Sequence, residues 1–245
     1  MNSLLIYPHE LRSSHDAVVA RPRELEHLQR IIKNPQKIKI TLLNQGIGYA
    51  RVASINQSEC VLEQIELTPH GKKPWAVLFV ALSRPLTMKK IIEHGTTMGV
   101  KEFIFYRAEK SEKSYAQSKI LDLKELQSLC ELGLQQSTLY YEAPKIHVLP
   151  NHLDQLIQSY PLKNRFILDL GTRQNFAQYF NTTPAIHSDE LAICAFGPES
   201  GFTDDDLRQF KQHHFQSISI SSTVLRLEHA VYYTLGQLEL FRSKP

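Results

Sequence analysis

Between Lys37 and Leu67, apolar residues come in three short runs, KIKITLLN (37–44), GYARVASI (48–55) and ECVLEQIEL (59–67), separated by Asn, Gln, Gly and Ser. Runs of this length bounded by turn formers predict strands, here of a small antiparallel barrel or sandwich. The segment TPHGKKP (68–74), with two prolines, a glycine and two lysines, reads as a linker, so the chain is expected to divide into domains at 1–70 and 74–245. Beyond it the pattern changes. WAVLFVAL (75–82) is a continuous apolar run that fits a strand covered on both faces, and a helix is expected from Thr87 to about Met98. EFIFYRA (102–108), RFILDLG (165–171), ELAICAF (190–196) and FQSISIS (215–221) are further strand candidates, with a helical stretch near 116–136. A last helix from about Arg226 to Phe241 places Leu227, Val231, Leu235 and Leu238 on one face. Strands alternating with helices predict an α/β domain with a mainly parallel sheet.

Composition narrows the class. Apolar residues make up 42% of the 245 and charged residues 22%, which is enough to bury a core without metal or disulfide staples. The cysteines, Cys60, Cys130 and Cys194, are odd in number and far apart, with no zinc-ligand spacing; a reducing cytoplasm and no metal are expected. No apolar run is long enough to span a bilayer, so no membrane is expected. The net charge of +3 sits in the first third: through Pro74 there are ten Lys/Arg against seven Asp/Glu, and afterwards eighteen of each. That excess hints at a polyanion partner, although a solvated surface would carry it equally well.

Two strand ends carry candidate chemistry. FILDLGTRQN (166–175), a strand ending in Asp-x-Gly, resembles the opening of a Rossmann-type methyltransferase loop, and Glu190 lies about where a ribose-binding acid would follow, but the glycines required after Gly171 are absent. Asp169 then reads as a residue capping a turn, while Gly171 can still line a cofactor loop of another fold. AFGPESGF (195–202) is the stronger candidate. Gly197 and Gly201 allow a sharp turn with exposed amides at the carboxyl end of a strand, Pro198 stiffens it, and Thr203 with Asp206 forms a capping-box pair for the next helix. Glu199 is more than such a turn requires.

GPESGFTDDD (197–206), together with VLRLEHA (224–230), resembles the C-terminal signature of the ribosomal RNA small-subunit methyltransferase E family. HLQRIIK (27–33), MGVKEFIFYRAEKS (98–111) and QQSTLYYEAP (135–144) are similar to further motifs of that family. The resemblance implies a SPOUT α/β methyltransferase domain with a C-terminal trefoil knot, preceded by a PUA-like β-barrel. It also implies S-adenosylmethionine as cofactor and methylation of N3 of a uridine in 16S rRNA of the small ribosomal subunit, by a homodimer. Carried onto this chain, the cofactor walls are Leu170, Gly171, Gly197, Pro198, Glu199, Gly201, Ser219, Ile220, Ser221 and Leu225.

Methyl transfer from a sulfonium needs alignment and loss of the N3 proton, and no metal. Arg226 is the candidate for stabilising charge on the uracil carbonyls or for holding a flanking phosphate, and Glu228 is the first candidate for the acid/base or orienting group, with Glu199 second; charge pairing at a helix N-terminus is the other reading of both acids. Arg21, Arg23, Lys33 and Arg51 are expected to contact the RNA backbone, because the positive excess lies in their domain. The apolar stripe on the last helix fits a dimer face or a core face. Several positions depart from the family pattern: Ser200, Ser221, Thr223, His229, Thr97 and Leu139 replace other residues, and Lys33 and Lys110 replace arginines. A divergent RNA-binding protein that has lost activity, or a methyltransferase acting on another RNA, are the alternatives.

Overall fold

The computed structural model describes residues 2–31, 37–117, 121–149 and 151–242. The chain divides into two compact units, the first formed by 1–73 with 130–143 and the second by 74–129 with 144–245. The segment 130–143, which the sequence placed in the second domain, thus joins the first.

In the first unit, β1 (Leu4–Ile6), β2 (Ala17–Val19), α1 (Pro22–Ile31), β3 (Lys37–Leu42), β4 (Gly46–Ile55) and β5 (Cys60–Thr68) follow in order. The strands form one sheet in the order β1-β3-β4-β5-β2. The β1–β3 pair is parallel, and the other pairs are antiparallel. Ile40, Leu42, Ala50, Val52 and Leu62 on the inner face pack with Leu4, Ile6, Val19 and, from α1, Leu25 and Leu28. Strand side chains alternate between faces, so Lys37, Lys39, Tyr49 and Arg51 lie on the opposite face, exposed or half-buried. The pattern of polar and apolar residues did not show β1, β2 or α1.

The second unit holds β6 (Ala76–Ala81), α2 (Pro85–Thr97), β7 (Val100–Tyr106), α3 (Leu123–Gln136), β8 (Lys145–Val148), α4 (Leu153–Gln158) and β9 (Arg165–Leu168). The last residues of α3, from Cys130, belong to the first unit. There follow α5 (Phe176–Phe180), β10 (Ala192–Phe196), α6 (Asp204–Gln212), β11 (Gln216–Ile218) and α7 (Leu227–Leu240). The strands form a six-stranded sheet in the order β11-β9-β10-β6-β7-β8, and every pairing is parallel. β6 and β10 are buried at every position, as strands covered on both faces must be. One face buries Val77, Phe79, Ile104, Ile167, Ile193, Phe210 and Phe215 together.

α7 packs against α2 and β10. Leu227, Val231, Leu235 and Leu238 are all buried within the unit. Of the two readings of this stripe, dimer face or core face, the structure shows the core face. The exposed side of α7 carries His229, Tyr233, Gly236 and Leu240 instead.

Arg165 is only 2% exposed and has no carboxylate partner among the described residues. Its guanidinium donates to the carbonyls of Ile157, Tyr160, Pro161 and His213, tying the start of β9 to the ends of α4 and α6. The fixed fork of five donors makes this possible where a lysine ammonium could not match it.

Candidate active site

Because the sheet is parallel, the loops leaving β9, β10 and β11 emerge on one edge, and β10 is inserted between β9 and β6. Open α/β sheets bind ligands at that carboxyl edge. A cavity of about 280 Å³ lies there. Its walls are Leu168, Asp169 and Leu170 after β9, then Gly197, Pro198, Glu199, Ser200, Gly201 and Phe202 after β10. Ile218, Ser219, Ile220, Ser221, Thr223, Val224 and Leu225 after β11, with Leu227 and Ala230, complete it. All the expected cofactor positions except Gly171 line this cavity. Gly171 sits one residue beyond, its amide donating to Asp169 Oδ1 at 2.8 Å, which is the turn-capping role read for Asp169.

The β10 loop is held from several sides. The buried Tyr106 hydroxyl, whose ionisation burial disfavours, donates to the Phe196 carbonyl at 3.0 Å just before Gly197. A Cβ on Gly197 would stand 3.0 Å from the Phe202 ring, so that position admits no side chain unless the ring moves. Gly201 has φ +77°, in the left-handed region, and its amide closes a turn on the Pro198 carbonyl at 2.8 Å. Thr203 and Asp206 then exchange both bonds of a capping box, as their spacing indicated.

The cavity fits a cofactor held mainly by backbone. Among the described residues the amides of Ile220, Ser221 and Leu225, all in its wall, make no hydrogen bond within the chain. Buried or ligand-facing amides need partners, and a small polar ligand supplies them. Cys194, directly behind the loop on β10, is fully buried, and burial pushes its thiol far above the ordinary range. It therefore stays protonated and is no nucleophile.

A second cavity of about 370 Å³ adjoins the first, sharing Glu199, Val224, Leu225 and Leu227, and adding Arg84, Thr87, Arg226 and Glu228. Two guanidiniums and two carboxylates thus surround one space. Arg226 is the N-cap residue of α7, yet its side chain makes no cap bond, and among the described residues it forms no ion pair. Glu199 is partly exposed and pairs with Arg84 at 3.6 Å. Arg84 was missed in the sequence. It ends the β6 strand loop just before Pro85, where the same carboxyl-edge argument applied to β10 would have found it.

Glu228 behaves differently. Its side chain is 6% exposed and lies 3.3 Å from Lys90 Nζ of α2. Burial alone would raise its pKa, but the amide at its own position in the first turn of α7 and the Lys90 ammonium outweigh this and hold the carboxyl below its usual range. A carboxylate so stabilised is a poor proton acceptor and a good fixed charge.

Glu190 lies before β10, at the opposite end of the sheet, and accepts from Asn164, the His187 amide and Lys163. A ribose-binding role is thereby ruled out by position.

Two of the expected RNA contacts of the first unit, Arg21 and Arg51, are paired with carboxylates of the same chain. Arg21 is bound to Glu10 at 2.9 Å and Glu24 at 3.1 Å, donates to the Leu5 carbonyl, and lies over the Tyr7 ring. Its charge is used internally. Arg51 pairs with Glu63 at 2.5 Å on the surface, Arg23 is exposed, and Lys33 lies outside the described residues. Counting charges along the chain could not reveal these pairings.

The second unit is thus a parallel α/β unit with a glycine-turned cavity at its carboxyl edge and an arginine-lined space beside it. Residues 71–239 match the model of the RNA methyltransferase domain, and the chain belongs to that family. It is similar to ribosomal RNA small subunit methyltransferase E 1 of Borreliella burgdorferi, 26% identical over 234 residues and 94% of each chain. A structure from Legionella pneumophila is matched over 100% of both chains at TM-score 0.75 and 18% identity. A ribosomal RNA small subunit methyltransferase E from Neisseria gonorrhoeae is matched over 97% of both at 0.69 and 17%. Among the described residues no helix is long and apolar enough to cross a membrane, and no cluster of metal-ligating side chains occurs.

The pair of Lys90 and Glu228 gives a pH-dependent prediction. A carboxyl whose folded pKa is depressed contributes stability that is complete above its unfolded value, near 4.5, and is lost as pH falls through the folded value. Lys90→Met is expected to lower stability at neutral pH by about 1 kcal/mol, since Lys90 is half exposed, and Lys90→Arg to restore most of it. Urea unfolding across pH should show the gap between Lys90→Met and wild type closing below pH 4.5. A gap of the same size at every pH would show that the ion pair is not its cause.

Proposed function

We propose that this chain is an S-adenosylmethionine-dependent methyltransferase acting on N3 of a uridine in 16S rRNA of the small ribosomal subunit. The observation that carries the reading is the pair of adjoining cavities, one walled by glycines, serines and apolar side chains from three strand-end loops, the other including Arg84, Arg226, Glu199 and Glu228. The names of the relatives and the S-adenosylmethionine bound in the Legionella and Neisseria structures support it. The finer fold reading is that the loops after β10 and β11 form a trefoil knot of the SPOUT kind, and that the first unit is a PUA-like RNA-binding domain. The cytoplasm, where ribosomal RNA resides, is the proposed place of action.

In this mechanism S-adenosylmethionine supplies an electrophilic methyl group on a sulfonium. The chain's own residues do the rest. The loops after β9, β10 and β11 hold the cofactor by backbone and by Leu170, Gly197, Pro198, Gly201, Ser219, Ile220, Ser221 and Leu225. Arg226 and Arg84 face a uracil in the second cavity and stabilise the negative charge that grows on its carbonyl oxygens as the N3 proton leaves. Glu199, the carboxylate common to both cavities, is the proton acceptor, and Glu228, paired with Lys90, stands at the second cavity as a fixed anion. This reverses the order of the two acids expected from the sequence, because Glu228 is held ionised by Lys90 and the helix N-terminus.

Arg226→Ala is expected to reduce turnover about a hundredfold with little change in cofactor affinity, the signature of an interaction made mainly in the transition state. The assay is methyl incorporation into small ribosomal subunits lacking the modification, with the nucleotide located by mass spectrometry. Cofactor binding without methylation of any RNA would favour the inactive RNA-binding reading, and methylation elsewhere would favour another RNA. Normal turnover by the variant would remove Arg226 from the mechanism.

The homodimer is proposed to form through the outer face of α7, where Tyr233 and Leu240 are 53% and 80% exposed and follow His229 at helical spacing. Light scattering should show a dimer that Tyr233→Glu with Leu240→Glu converts to a monomer. A monomeric wild type at micromolar concentration contradicts this.

A further inference from the structure

The outer face of the first unit's sheet carries a small cavity of about 200 Å³ that no part of the methyl-transfer chemistry uses. Lys39, Thr41, Ile47, Gly48, Tyr49, Thr68 and His70 contribute to it, with Ser3 and Thr138 beside them. Strand register shows how Tyr49 divides this face. Lys39 and Glu66 are its cross-strand neighbours; Lys37, Arg51 and Glu63 lie to one side, and Thr41, Ile47 and Thr68 to the other. The Lys37 ammonium stands 5.1 Å from the centre of the Tyr49 ring and is itself held by Glu66 at 3.2 Å. One side of the ring is thus covered by an anchored cation, while the cavity lies towards the Thr41 side.

Three features suit this space to a single planar ring. Its volume is smaller than those of the two cavities at the carboxyl edge of the second unit, about 280 and 370 Å³. Gly48 lets β4 approach β5 so closely that a Cβ there would lie 2.0 Å from the Glu66 carbonyl oxygen, which fixes the strands beneath the tyrosine. The polar groups around it are hydroxyls, among them the buried Ser3 and Thr41 pair at 2.8 Å, which can donate or accept as the ligand requires. The charge is complementary to an anion: Lys39 is exposed and forms no ion pair among the described residues, and His70 is exposed at the rim. An aromatic platform with an unpaired cation beside it is how proteins grip single-stranded nucleic acid without reading its sequence.

We propose that this cavity is a one-nucleotide RNA subsite, in which an unpaired base of the substrate stacks on Tyr49 and its phosphate is met by Lys39. The site rests on the reading that the chain acts on RNA, and it assigns the grip to Lys39 and Tyr49 rather than to Arg21 and Arg51, whose charges are already paired.

The test uses the full chain and a fluorescein-labelled single-stranded oligouridylate, with affinity read by anisotropy over a salt series. Tyr49→Leu should weaken binding about tenfold while Tyr49→Phe stays within about twofold of wild type. Lys39→Gln, a surface change that leaves the fold intact, should lower the salt slope by about one phosphate contact. Both should raise KM for small ribosomal subunits and leave kcat and cofactor affinity unchanged. Unaltered oligouridylate binding by Tyr49→Leu and Lys39→Gln would overturn the subsite, even if the wild type methylates rRNA normally. Uridine monophosphate binding as tightly as the oligonucleotide would overturn it too, by showing a site for a free nucleotide. A wild type that grips RNA in this way but methylates none would leave the subsite standing and refute the proposed function.

Discussion

The insertion of β10 between β9 and β6 is the constraint on which the second unit depends. Its parallel ladder to both neighbours, with Ala195 opposite Ile167 on one side and Phe79 on the other, sets the height at which the chain leaves the sheet. Tyr106, reaching across from β7 to the Phe196 carbonyl, fixes the last peptide before the turn. Gly197 can then pass under Phe202 and Gly201 can turn left-handed, so the loop closes beside those that follow β9 and β11. The site's shape follows from the register of one buried strand together with the side chains of Tyr106 and Phe202.

Charge is distributed around this edge with a clear division. Of the residues around the arginine-lined space, Arg84, Arg226 and Glu199 are exposed, and Arg84 pairs with Glu199 there. Glu228 is buried and locked by Lys90 and the first turn of α7. Burial acts to raise its pKa and the Lys90 ammonium acts against this, so the carboxyl keeps its negative charge beside the cavity. The three cysteines are buried and unpaired in disulfides, and with Cys194 kept protonated the chemistry falls to the charged groups.

What the sequence revealed follows from how local each signal is. The Gly-Pro-Glu-Ser-Gly turn, the Thr203 cap and the strand WAVLFVAL are written in adjacent residues, and their structures match. β8, α4 and α5 are short and carry weak periodicity, and the three residues each of β1 and β2 are fixed only by their sheet partners. The stripe on α7 was legible, but whether it met a partner chain or α2 depended on contacts far along the sequence. Arg21 shows the same limit in reverse. A basic residue in a basic third suggests RNA, until Glu10 and Glu24 are found around it. Lys90 was invisible for the same reason, since its meaning comes from a residue more than a hundred positions away.

The central claim is that the loops after β9, β10 and β11 form a cofactor cavity dependent on an open Gly197. Calorimetric titration of the folded chain with S-adenosylmethionine tests it most directly. The account predicts one site per chain, and loss of the binding heat in Gly197→Val, whose side chain would displace Phe202 into that space. Absence of binding by the wild type, or undiminished binding by the variant, would contradict it.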